Sequence, residues 1–97
     1  MNDNKSTLRF SIQRALLGEV TENLIAVTAG VKDSKILIRF YFDEDATESE
    51  LERVSCIGGE VISDFPEPFD IEEQVMFITR QDEMAMLDFW AFLKAKS

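Results

Sequence analysis

Residues 43–73 hold twelve carboxylates: Asp43, Glu44, Asp45, Glu48, Glu50, Glu52, Glu60, Asp64, Glu67, Asp70, Glu72 and Glu73. Arg53 is the only base among them, so this segment nets -11 while the rest of the 97-residue chain nets +2. Crowded acids can hold a hard cation, act as an acid–base pair, or present a negative field. A calcium loop opening at Asp43 would put Asp45, Thr47 and Ser49 at ligand positions. It fails at Glu48, where glycine is needed, and at Val54, where a bidentate acid is needed. A helix entry at Thr47 is the simpler reading. Glu60 and Asp64 stand four residues apart on an exposed helix side, and closeness alone makes neither a pocket nor a raised pKa. The field is what remains. It attracts cationic partners and repels phosphates, which argues against direct DNA or RNA binding. It serves either solubility alone or a dedicated binding face.

Nucleophilic chemistry has little to work with. Cys56 is the only cysteine and the chain has no histidine to activate it. Its neighbours at helical spacing, Glu52 and Glu60, are acids and not the cations that make a thiol reactive. Ser11, Ser34, Ser49, Ser55 and Ser63 have no histidine base either, and none opens an S-x-x-K arrangement. Gly58-Gly59 lacks the Lys-Ser/Thr that follows in a phosphate loop. The expectation is a protein that is not an enzyme, with no catalytic residue, cofactor or metal.

The acids need a scaffold, and the hydrophobic pattern supplies one. Ser6 or Thr7 can cap a helix running to about Glu19, with Leu8, Ile12, Ala15 and Leu16 along one side. Phe10 and Leu17 lie opposite, so this helix is expected to be covered twice. Residues 24–29 are apolar and β-branched, and residues 30–34 read as a hairpin connection of several residues. Ile36, Ile38, Phe40 and Phe42 alternate with Lys35, Leu37, Arg39 and Tyr41, the clearest strand in the chain. Leu37 and Tyr41 can sit beneath a loop or a partner. Thr47-Glu48-Ser49-Glu50 fits a capping box, followed by Leu51, Val54, Gly58, Val61, Ile62 and Phe65 at helical spacing up to Pro66. Gly58 lies in that stripe, which predicts a close approach to the sheet. Residues 71–80 read as a third strand. Residues 87–95 suit either a strand or a helix, and strand is the assignment adopted. The expected fold is α+β in the order αββαββ: an antiparallel four-stranded sheet with two packed helices. One domain spans residues 7–97 behind a flexible N-terminus of residues 1–6.

Composition narrows the setting. Apolar residues make up 45% of the chain, enough for a core. One cysteine cannot staple a secreted fold. No 18-residue apolar run or cationic leader is present, so the protein is expected in the cytoplasm, away from membranes. Asn4-Lys5-Ser6 fits a glycosylation triplet only by accident in that setting.

Three stretches resemble a known family: Arg14-Ala15-Leu16-Leu17-Gly18-Glu19-Val20, Arg39-Phe40-Tyr41-Phe42-Asp43, and the ten residues from Glu60 to Phe69, the most specific block. Over about residues 9–80 the chain resembles small bacterial immunity proteins of contact-dependent growth inhibition and related polymorphic toxin systems. It departs at residues 81–86, where that family has a shorter, proline-richer link. The resemblance implies a stoichiometric inhibitor that binds one cognate toxin domain. Many such toxins are nucleases with basic clefts, which an acidic inhibitor suits. The candidate contact residues are Glu48, Glu52, Glu60, Asp64 and Glu67, with Tyr41, Phe69 and Trp90 as apolar anchors. The alternative is an acidic adaptor or regulatory subunit. A homodimer through an exposed sheet edge also stays open.

Overall fold

The computed structural model describes residues 3–80 and 83–94. Helix α1 (Asn4–Ala15) leads into strands β1 (Leu24–Lys32) and β2 (Lys35–Phe42), helix α2 (Glu48–Ile62), and strands β3 (Asp70–Phe77) and β4 (Phe89–Leu93). This is the α+β fold in the order αββαββ, with four strands in one sheet ordered β3-β2-β1-β4.

The pairing corrects one expectation. β1 pairs antiparallel with β2 and with β4, but β2 and β3 run parallel, from Lys35↔Asp70 to Phe42↔Phe77. The cause is α2. Its fifteen residues carry the chain roughly 22 Å back along the sheet, so β3 starts beside the end where β2 began. The β1–β2 turn is also tighter than expected. Lys32 pairs with Lys35, leaving only Asp33 and Ser34 between the strands. Asp33 adopts φ +57°, a left-handed conformation that Asp tolerates better than most residues, so no glycine is needed there.

Local chemistry sets the helix ends. α1 starts earlier than predicted because the Asp3 carboxylate accepts from the Lys5 and Ser6 N–H groups, and it ends at Ala15. α2 has the capping box the sequence announces. Thr47 Oγ1 accepts from Glu50 N–H at 3.2 Å, and Glu50 Oε1 accepts from Thr47 N–H at 3.0 Å. The final strand is shorter than the predicted span, and Ala95 lies outside the described residues.

The sheet buries apolar residues on both faces. Ile36, Ile38, Phe40 and Phe42 meet Leu8, Ile12 and Ala15 from α1 and Val54, Ile57 and Val61 from α2. The opposite face has a smaller core of Ala26, Tyr41 and Ile78, packed by Ile25, Met84 and Trp90. Residues 84–89 cross this face, held by buried Thr28. Its hydroxyl donates to Phe89 O and accepts from Leu87 N–H, both at 2.8 Å. Asp88 lies 3.2 Å from where a Cβ on Gly30 would stand, which explains a glycine inside β1. On α1 the outcome differs from the prediction: Phe10 and Leu17 are 75% and 77% exposed, so the helix is covered once.

Candidate functional site

The four-residue spacing of Glu48, Glu52, Cys56 and Glu60 puts all four on the outer side of α2, and all are exposed. From Glu48 to Glu60 that line runs roughly 18 Å along the helix axis. Among the described residues, none of the three glutamate side chains has a hydrogen bond or ion pair. A shallow concavity beside them is lined by Glu19, Ser49, Glu52, Arg53, Cys56 and Glu60. Within it Arg53 pairs with Glu19 at 3.0 Å, so the segment's one base is occupied by an acid from outside the segment. The line therefore keeps its negative charge.

Two other acids of the segment serve the fold. Asp64 Oδ2 accepts from the Ser11 hydroxyl at 2.6 Å and forms an ion pair with Arg14, joining the end of α2 to α1. The Ser11 hydrogen bond, then the Arg14 guanidinium, hold its carboxyl below the usual range against some desolvation. Glu50 is only 8% exposed. Its carboxylate accepts from Asn23 Nδ2 at 2.7 Å and Asn23 N–H at 3.1 Å besides the capping bond. Hydrogen bonds from Thr21, Asn23 and Thr47 pull its pKa down to about 2. Sequence reasoning found Glu50 as a capping residue and missed it as the latch between α2 and the entry to β1. Its position inside a capping box just ahead of the apolar stripe was the available signal.

The remaining predicted residues are dispersed. Glu67 is exposed in the α2–β3 connection, where the Glu67–Pro68 peptide bond is cis. Phe69 is half-buried, its ring 5.1 Å from that of Phe65. Tyr41 is 2% exposed. Its hydroxyl donates to Ala85 O at 3.0 Å and accepts from Ala85 N–H at 2.9 Å. Trp90 is half-buried with its ring 6.3 Å from Tyr41. Both sit in the core on the side of the sheet away from α2, so the structure does not bring them to the acidic line.

Gly58 marks a close approach, as its place in the stripe predicts. A Cβ there would stand within bonding distance of the Glu73 carboxylate, which reaches across from β3. Burial under α2 raises the Glu73 pKa. Among the described residues no three His, Cys, Asp or Glu side chains converge on a possible metal position. Asp43 Oδ1 instead accepts from Asp45 N–H at 2.8 Å, shaping the turn into α2. No helix among the described residues is long and apolar enough to cross a membrane.

Residues 5–96 match the sequence model of the MafI2 immunity protein family. No curated protein matches the chain.

Proposed function

The chain belongs to the MafI2 immunity protein family, and on that premise we propose that it docks the outer acidic line of α2 against a basic cleft of its cognate toxin, a nuclease, in the cytoplasm of the producing cell. Membership makes it a small bacterial immunity protein, a toxin-neutralising binding protein and not an enzyme. The observation that carries the finer reading is the division of labour among the acids. Glu50 and Asp64 are held by the fold, while Glu48, Glu52 and Glu60 are presented without partners among the described residues. Exposed glutamates left unpaired keep their full field for a cationic surface, and a cleft that holds nucleic acid phosphates is such a surface. Glu67 extends the field beyond the end of α2, and Phe69 is the apolar anchor nearest to it in the chain.

The test uses the toxin domain encoded by the adjoining gene. Co-expression of the wild-type chain protects cells from that domain. The triple reversal Glu48→Lys, Glu52→Lys, Glu60→Lys keeps the fold, slows association and weakens protection. Unchanged affinity in the triple variant would remove α2 from the interface while leaving the immunity role standing.

A further inference from the structure

β3 is an edge of the sheet, and its ladder to β2 is unbroken over all eight residues. In a strand, the N–H and C=O of one residue point to the same side, and the side alternates along the chain. Two flanking bonds fix the phase here: Asp70 N–H donates to Ser34 O at 2.8 Å, and Ile78 N–H donates to Phe42 O at 2.9 Å. Even-numbered residues of β3 thus bond β2, while Ile71, Glu73, Val75 and Phe77 turn their N–H and C=O groups outward. Among the described residues nothing receives them.

Edge strands are commonly guarded by brevity, a bulge, proline or lysine. The other edge, β4, has five residues and a break in register against β1 between Val27 and Thr28. β3 has no break in register, no proline and no lysine. Its first half carries Asp70, Glu72 and Glu73, whereas in its second half Met76 is 45% exposed and Phe77 is 54% exposed. A long edge that is acidic at one end and apolar at the other is half guarded.

The charge pattern selects the occupant. Two copies of β3 related by a twofold axis would pair antiparallel about the strand centre. With all four outward residues used, that pairing sets Glu73 opposite Val75 and Glu72 opposite Met76 of the other copy, so the acids meet apolar side chains and gain no counter-charge. An extended segment with Lys or Arg toward Asp70 and Glu72, and apolar residues toward Met76 and Phe77, meets complementary chemistry along the whole edge. Strand addition of this kind draws affinity from main-chain hydrogen bonds and register from alternate side chains. We infer that the free edge of β3 receives such a basic-and-apolar segment of the toxin domain as a fifth strand. This rests on the toxin-binding reading above but concerns a surface other than the α2 line.

Residue-resolved amide exchange on the wild-type chain tests it, alone and with the toxin domain encoded by the adjoining gene. The expected result is that the Ile71, Glu73, Val75 and Phe77 amides exchange freely alone and slow by about a hundredfold or more in the complex. If the complex forms and these four amides exchange as before, the β3 inference is wrong and toxin binding stands. Protection of the same amides in the free protein, growing with its concentration, would assign the edge to a second copy and overturn the inference. If no complex forms, the toxin-binding reading fails and takes the inference with it. A variant pair gives a second readout. Val75→Pro removes one outward N–H and no bond to β2, while Val75→Ala trims the side chain and keeps that N–H. The proline variant is expected to bind at least about tenfold more weakly than the alanine variant. Equal affinity in two folded variants would also overturn the inference.

Discussion

Glu50 and Glu52 are two residues apart on α2 and meet opposite surroundings. Glu50 turns inward, where Thr21, Asn23 and Thr47 surround its carboxylate with donors. Glu52 turns outward with Glu48 and Glu60 and meets no partner among the described residues. A helix rotates about 100° per residue, so two positions are enough to move a side chain from one face to the other. The contrast teaches that the net charge of this segment is not one property. Part of it is consumed in holding the molecule together, and part is left to act at a distance.

The largest expected effect lies on the inward side. Glu50→Ala removes an acceptor that satisfies the Thr47 N–H and both Asn23 donors, and leaves those donors to find water at a half-buried corner. Hydrogen bonds to a charged group contribute about 1.5–3 kcal/mol, and breaking a network sits at the top of that range. The expected loss is about 3 kcal/mol in a denaturant melt. The same residue sets an acid dependence. Its folded pKa, about 2, lies below the ordinary value of 4.5. A lowered carboxylate stabilises the folded state above its unfolded pKa and loses that contribution as pH falls through the folded one. Wild-type stability therefore declines from about pH 4.5 toward pH 2, and this decline flattens in Glu50→Ala. Asp64 acts in the same direction. Glu73, raised by burial, acts in the other and favours the fold at low pH. An Ala variant as stable as wild type, with an unaltered acid limb, would erase the distinction between the two sides.

Outward, the effect should appear in binding and not in stability. Reversing Glu48, Glu52 and Glu60 together removes no hydrogen bond among the described residues. It also relieves repulsion among the acids, so the melting midpoint stays within a few degrees of wild type. Affinity for the toxin domain should fall about a hundredfold, or about 2.7 kcal/mol, mostly through slower association. Added salt should narrow the gap between variant and wild type, because exposed charges are screened within about 10 Å at 0.1 M. A gap that is indifferent to salt would mean that the outward acids act through contact and not through their field.

Part of this contrast could be read without coordinates. Glu48, Glu52 and Glu60 share a face by spacing alone, and the Thr47–Glu50 capping box announces where the helix starts. The alternation from Lys35 to Phe42 likewise announces a strand with one buried face. The rest depends on partners distant in the chain. Asp64 looks like one more outward acid until Arg14, fifty positions earlier, is brought beside it. Tyr41 looks like a candidate anchor until residues 84–89 cross the sheet, and that crossing segment has no periodicity to signal its path. The parallel pairing of β3 was implicit in the helix between two strands. Each strand's own alternation does not reveal it, being silent about direction.

The start of α2 joins the two sides, since Thr47 is exposed yet donates its N–H to Glu50. Thr47→Ala leaves the Glu50 N–H without its cap and should cost about 1 kcal/mol, within the usual range for an N-cap. That is a smaller loss than Glu50→Ala because the Glu50 carboxylate keeps its Asn23 donors. If the two substitutions cost the same, the capping bond would be the whole contribution of Glu50 and the latch to β1 would contribute nothing.

The smallest expected effect separates the two neighbouring glycines on α2. At Gly59 a Cβ would meet nothing within 4 Å, so Gly59→Ala adds helix propensity without a clash. It should stabilise the chain by about 0.5–1 kcal/mol, with no change in toxin affinity unless the partner's surface comes down onto that position. At Gly58 the same change drives Glu73 off its resting place across the helix. Glu73 is half-buried, and its carboxylate is the flexible end of a side chain. The propensity gain therefore meets the work of moving an acid and repacking β3 against α2, and the net change should be smaller than at Gly59. A melt that ranks Gly58→Ala above Gly59→Ala would show that Glu73 gains by leaving. The inner side of α2 would then carry a strained acid at β3 as well as the satisfied one at Glu50.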